Sequence, residues 1–174
     1  MAYGVVRTDN MYGTDVRAAL VSIKYIVTSG NGSETVKTET AIENGNVLKA
    51  GGLMDGEREI LEGSAVAANT PLSEVVLVAS PELIYDERKK NLDDFINEAG
   101  KACKGYRLHS GDIFSLTAEC FAGTNAPVVG NVVELAAGTK LKAVASATSN
   151  TTTVGKIIAK EVAGRYTYYV VRVD

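Results

Sequence analysis

GNVVELAAGTKLKAVASATSNTTTVGKIIAKEVAGRYTYYVVRVD, residues 130–174, contains four apolar runs that begin near Asn131, Leu141, Thr153 and Arg165. Ala137-Gly138-Thr139, Ser149-Asn150 and Ala163-Gly164 separate them. Short β-rich runs set about 8–12 residues apart by turn residues indicate antiparallel all-β structure. The stretch therefore reads as a C-terminal meander. Strand side chains alternate between two faces, so Tyr166, Tyr168 and Arg172 share one face of the last strand.

Upstream, residues 112–121 alternate Phe114, Leu116, Ala118 and Cys120 with Ser115, Thr117 and Glu119, as a strand does. Residues 17–28 place Val21, Ile23, Tyr25 and Val27 opposite Ser22 and Lys24. Asn31-Gly32 follows, and Asn-Gly favours a tight hairpin because both central positions need positive φ. With the returning run to Ile42 and the second Asn-Gly at Asn44-Gly45, residues 17–50 read as a three-strand meander. Residues 51–69 hold Gly-rich turns with short candidate edge strands at 58–61 and 65–68. The continuous apolar run at residues 74–80, EVVLVAS, fits a buried strand.

A single helix is predicted near residues 91–103. Leu92, Phe95, Ile96, Ala99 and Cys103 follow helical spacing, Asn91 suits the N-cap, and Asp93 and Asp94 suit the first turn. The expected fold class is mainly β, antiparallel and sandwich or barrel-like, with that one α-helix. Residues 1–16 read as an N-terminal arm without sustained period, and residues 17–174 as a β-rich body. The body divides into possible subdomains at 17–85 and 106–174, joined by 86–105. A short echo between residues 45–51 and 130–138, each a turn followed by a short strand, is compatible with that division.

Composition narrows the functional classes. The 174 residues are 45% hydrophobic and 22% charged, which is globular and long enough for a sizeable core. A net charge of −3 leaves no basic surplus to neutralise phosphates, so no direct nucleic-acid partner is expected. No uncharged apolar run approaches 18 residues, so no membrane partner is expected. Arg7, Asp9 and Asp15 interrupt any leader-like run. Cys103 and Cys120 are accordingly expected as reduced, buried thiols.

Chemistry is sparse. His109 is the one histidine, and its spacing to Ser110 and Asp112 matches no nucleophile elbow. Cys and His are too few and too far apart for zinc, and no calcium-loop pattern occurs. Gly30-Asn31-Gly32 leads into a hairpin where a dinucleotide site needs a helix. No catalytic, cofactor-binding or metal-binding residue is expected, and the chain is not expected to be an enzyme.

Val128-Val129-Gly130-Asn131-Val132-Val133-Glu134-Leu135, Gly138-Thr139-Lys140-Leu141-Lys142, Thr153-Val154-Gly155-Lys156-Ile157-Ile158-Ala159-Lys160 and Tyr168-Tyr169-Val170-Val171-Arg172-Val173 resemble the end of capsid decoration (cement, or auxiliary head) proteins of tailed bacteriophages. The similarity covers about a quarter of the chain and has no counterpart for residues 91–103. It implies a structural virion protein on the capsid surface, assembled in the host cytoplasm. It also implies a phage major capsid protein as partner and self-association at symmetry axes. A tail-tube or head–tail connector protein is the alternative, and a small enzyme the third reading. Aromatic residues are enriched in interface anchors. The candidate contact residues are therefore Tyr3, Val5, Val6, Arg7, Met11 and Tyr12 of the arm, with Tyr166, Tyr168 and Arg172 of the last strand.

Overall fold

A computed structural model describes residues 3–7, 19–31, 34–86, 88, 91–123 and 126–174. Its strands are β1 (Leu20–Asn31), β2 (Glu34–Glu39), β3 (Val47–Leu53), β4 (Ile60–Ser64), β5 (Val75–Val78), β6 (Cys103–Arg107), β7 (Ile113–Leu116), β8 (Val132–Leu135), β9 (Leu141–Val144), β10 (Thr153–Ala163) and β11 (Tyr166–Val173). They form two sheets. The protein is mainly β, as the sequence indicates.

The first sheet closes on itself. β1 pairs in parallel with β4, and antiparallel pairings then run β4–β3, β3–β5, β5–β6 and β6–β1. Ile23, Ile42, Leu48, Val78 and Cys103 fill this small barrel. Gly63 and Gly105 make the filling possible. A Cβ on Gly63 would lie 2.8–2.9 Å from Leu48 and Ile23, and one on Gly105 would overlap Val76. Beyond Tyr25, β1 leaves the barrel and pairs only with β2, so residues 26–31 and 34–39 form a two-stranded ribbon.

In the second sheet the order is β7-β11-β10-β8-β9. A parallel bridge from Phe121 to Leu141 curls the end of the β7 segment back against β9. The β10–β11 hairpin turns at Gly164-Arg165, and Gly164 supplies φ +59° at the first central position.

One core joins the two sheets. Val47, Val75 and Leu77 point out of the barrel and pack with Phe114, Leu116, Leu135, Leu141, Ile157, Tyr169 and Val171. β5 is thus buried on both faces, which is why its run VVLV does not alternate. The chain crosses between sheets at residues 108–112. There the His109 amide donates to Asp112 Oδ2 at 2.9 Å and the Asp112 amide to the His109 carbonyl at 3.0 Å.

Three expectations are corrected. No α-helix forms at 91–103: Leu92–Asp94 is a single 3-10 turn, Phe95 is already extended, and Cys103 begins β6. The cause is tertiary. Asn97 exchanges backbone hydrogen bonds with Ile42 and adds a side-chain bond to the Ile42 carbonyl at 3.0 Å, which locks the segment as a β-bridge. Asn91 does cap, but it caps only that turn, its amide reaching Asp94 Oδ2 at 3.2 Å. Second, β3 does not return onto β2; it pairs with β4 and β5, and β4 is internal and not an edge. Third, β8 lies between β9 and β10, so the C-terminal stretch is antiparallel but not a simple meander. Among the described residues, no helix is long and apolar enough to cross a membrane.

Candidate partner-binding surface

The two segments with candidate contact residues meet at one end of the second sheet. Residues 3–7 run beside β7. The Thr117 amide donates to the Val5 carbonyl and the Arg7 amide to the Ser115 carbonyl, both at 3.0 Å, and Val6 bridges Leu116. The segment thereby adds a short edge to β7, whose other neighbour is β11, the strand that carries Tyr166 and Tyr168.

Val5 and Val6 are each 2% exposed. They belong to the interior, which corrects their candidacy as contact residues. A small apolar residue beside an exposed strand edge gains most by turning inward, and both valines do. Gly4 passes against the Cys120 sulfur, where a Cβ would come within 2.7 Å. Met11 and Tyr12 lie outside the described residues.

Arg7, Tyr3, Tyr166 and Tyr168 are brought together. The Arg7 guanidinium sits 5.7 Å from the Tyr168 ring centre, within cation–π range, and 3.5 Å from Glu161 Oε2. Tyr168 itself is only 3% exposed, so its candidacy as a contact residue is corrected as for the two valines, and Arg7 forms the outer layer over it. Arg165 stacks 5.1 Å over the Tyr166 ring and pairs with Asp93. The Tyr166 hydroxyl donates to Asp93 Oδ1 at 2.7 Å, and the Tyr3 amide donates to the Asp93 carbonyl at 3.3 Å. Arg7, Arg165, Tyr166 and Tyr168 border a cleft of about 540 Å3 with Val6, Leu92 and Ala163 in its walls, while Tyr3 lines a separate, smaller cleft with Asp93 and Tyr166. Arg172 is exposed on the same strand face, but four residues on, roughly 13 Å away. It stands outside the cluster.

Charge within the cluster is internally matched. The hydrogen bond from Tyr166 and the nearby Arg165 hold the Asp93 carboxyl below its ordinary value. Burial, together with the bond to Asp93, pushes the Tyr166 hydroxyl up. The result is a preset, amphipathic surface: aromatic rings, a shallow cleft and two arginines already oriented by carboxylates. Such a surface can bury rings against another protein at little cost in side-chain ordering.

Asp93, Arg165, Leu92 and Glu161 are the members that sequence reasoning missed. Asp93 and Tyr166 are 73 positions apart, and the sequence between them carries no local signal of the contact. Only the Ala163-Gly164 turn hinted that Arg165 sits at a hairpin tip. Among the described residues, no group of three or more His, Cys, Asp and Glu side chains is arranged to hold a metal. His109 sits in the turn between the sheets, 3.7 Å from Asp112 through Nδ1. Comparison of the chain with protein families, curated proteins and solved structures finds no match.

Proposed function

We propose that this chain is a non-enzymatic structural protein of a tailed-phage virion, one that binds the outside of the capsid and stabilises it. The convergence of Arg7, Arg165 and Tyr166 on one cleft at the end of the second sheet, over the buried Tyr168 ring, is the observation that carries the reading. The resemblance of residues 130–174 to decoration proteins adds to it. A shell protein present in many copies needs a stable body and one preset adhesive face. Here the shared core supplies the body and the tyrosine–arginine cluster the face. Its partner on this reading is the phage major capsid protein, with copies associating at symmetry axes.

The mechanism is linkage. A protein that binds only the assembled shell stabilises it by RT ln(1 + [L]/Kd) per site, about 2.7 kcal/mol at a free concentration 100 times Kd. Purified protein mixed with expanded capsids of its phage should bind saturably and raise their disruption temperature. Absence of binding to both mature and expanded capsids overturns the proposal.

A tail-tube or connector role is favoured by one observation. β2 pairs with β1 alone and its described side chains are exposed, so its outer edge is open to edge-to-edge assembly. Concentration-dependent polymerisation without capsids supports that second reading over the first.

A further inference from the structure

We propose that a second cleft, of about 530 Å3 on the first barrel, docks an acidic polypeptide segment that carries an aliphatic anchor residue. The cleft lies where β1 begins, between the end of β3, the start of β4 and β6. Leu20 and Leu53 stand 49% and 55% exposed in it, and Leu61 lines it with them. Aliphatic side chains left this open in a shared hollow gain by covering one another with an incoming apolar group.

The charge around this apolar floor specifies the partner. Arg58, Lys104 and Arg107 line the cleft against a single carboxylate, Glu59. The Lys104 ammonium donates to the Ser22 hydroxyl at 2.9 Å, and Arg107 donates to the Ser73 carbonyl at 3.2 Å. Among the described residues none of the three cations has an ion-pair partner. In the tyrosine cluster, by contrast, Arg7 and Arg165 are already paired with Glu161 and Asp93. In a chain of net charge −3, three unneutralised cations around one hollow form a local positive field of the kind that steers and orients acidic partners. No aromatic ring lines the cleft, so it lacks the stacking platform that single-stranded nucleic acid uses. The leucine floor instead fits an aliphatic side chain flanked by carboxylates. This docking does not depend on the virion reading.

The test uses the full chain and a fluorescein-labelled heptapeptide of alternating glutamate and leucine, with binding read by fluorescence anisotropy. The peptide should bind saturably and more weakly as salt rises through the range where exposed charges are screened. Arg58→Glu combined with Arg107→Glu should weaken it by at least about tenfold. Leu53→Ser, at a half-exposed position, should weaken it without lowering the melting temperature, and a peptide with glycine for leucine should bind less well. Binding unchanged by the charge reversal overturns the proposal, as does equal or tighter binding of oligothymidylate at the same site. Concentration-dependent dimers abolished by the reversal would overturn the foreign-partner assignment in favour of a second copy of this chain.

Discussion

The Tyr166 hydroxyl donates to Asp93 Oδ1 at 2.7 Å and thereby fastens the tip of the β10–β11 hairpin to the turn at residues 92–94. Two distant parts of the chain meet through this part-buried bond, and the Asp93 amide adds a longer one to the same hydroxyl at 3.4 Å. Arg165 on the same carboxylate completes the clasp. The clasp holds one wall of the tyrosine cleft.

Asp93 sets the first prediction. The Tyr166 bond, then Arg165, hold its carboxyl below the ordinary value of 3.8. Below 3.8 the unfolded chain therefore takes up a proton that the folded chain still refuses. The clasp's contribution is present in full above that pH and is lost as pH falls through the folded value. Tyr166→Phe should cost roughly 1–2 kcal/mol at neutral pH and flatten the acid limb of stability against pH. Urea midpoints measured from pH 7 to pH 2 check this; coincident curves for the two proteins would show that the bond adds nothing, and parallel displaced ones that it is not linked to Asp93 protonation.

Glu134 sets the second. It is 1% exposed on β8, and its carboxylate accepts from the Thr148 amide at 2.9 Å and the Thr148 hydroxyl at 2.8 Å. Burial alone would push this carboxyl up, but the two Thr148 bonds and Lys142 at 3.5 Å outweigh it and hold it below its ordinary 4.5. The carboxylate pins the loop between β9 and β10 to the sheet. Glu134→Ala should destabilise by about 1–3 kcal/mol, because the Thr148 donors lose their acceptor. Proteolysis within residues 145–152 should quicken in that variant. A loop as resistant as in the parent chain means that other contacts hold it.

Much of this was legible in the sequence where local pattern and final environment agree. β8, β9, β10 and β11 begin within a few residues of the apolar runs seen at Asn131, Leu141, Thr153 and Arg165, because each pairs with antiparallel neighbours and is bounded by turn chemistry. The 91–103 segment failed for the opposite reason. Its helical spacing of Leu92, Phe95 and Ile96 is real, but Asn97 is claimed by Ile42 and Cys103 by the barrel, where its sulfur meets the Ile23 carbonyl at 3.0 Å. Leu92 is left 40% exposed and Ala99 exposed. Long-range pairings such as the parallel β1–β4 contact leave no trace in local periodicity. The tyrosine faces were visible as segments, while their meeting at Asp93 was not.

The thiols give a third expectation. Burial pushes Cys103 up to about 11 and Cys120 up to about 12. At neutral pH almost no thiolate is present, and neither sulfur is exposed. Labelling by a maleimide should be slow for both cysteines in the native protein and fast in denaturant. Rapid labelling of native protein at either position contradicts the packing.

Close backbone approach gives a fourth. A Cβ on Gly155 would overlap the Arg172 carbonyl across the β10–β11 pair. Because the obstruction is backbone, no rotamer change relieves it. Gly155→Ala should therefore cost at least about 1–3 kcal/mol, the usual range for overpacking. A melting temperature equal to that of the parent would mean the hairpin absorbs the methyl by a shift of register.

The N-terminal segment gives the last, and it separates folding from attachment. Val5 and Val6 are in the interior, so removing residues 2–7 exposes the ground they cover. At roughly 1.5–3 kcal/mol per buried valine, the upper estimate is a loss of about 3–6 kcal/mol. The same deletion uncovers Cys120, whose sulfur lies 3.6 Å from the Val5 carbonyl and touches the space beside Gly4, whereas Cys103 sits in the first barrel. The truncated protein should melt earlier and label selectively at Cys120, with Cys103 still protected. Arg7→Ala removes the outer layer over Tyr168 and a 3.5 Å surface ion pair, the latter contributing about 0–1 kcal/mol. On the proposed function, Arg7→Ala should therefore leave the melting curve nearly in place while weakening attachment to capsids. If Arg7→Ala decorates capsids like the parent protein, the tyrosine–arginine cluster is not the adhesive face. If the truncated chain melts like the parent, the valines contribute nothing to the core that surrounds them.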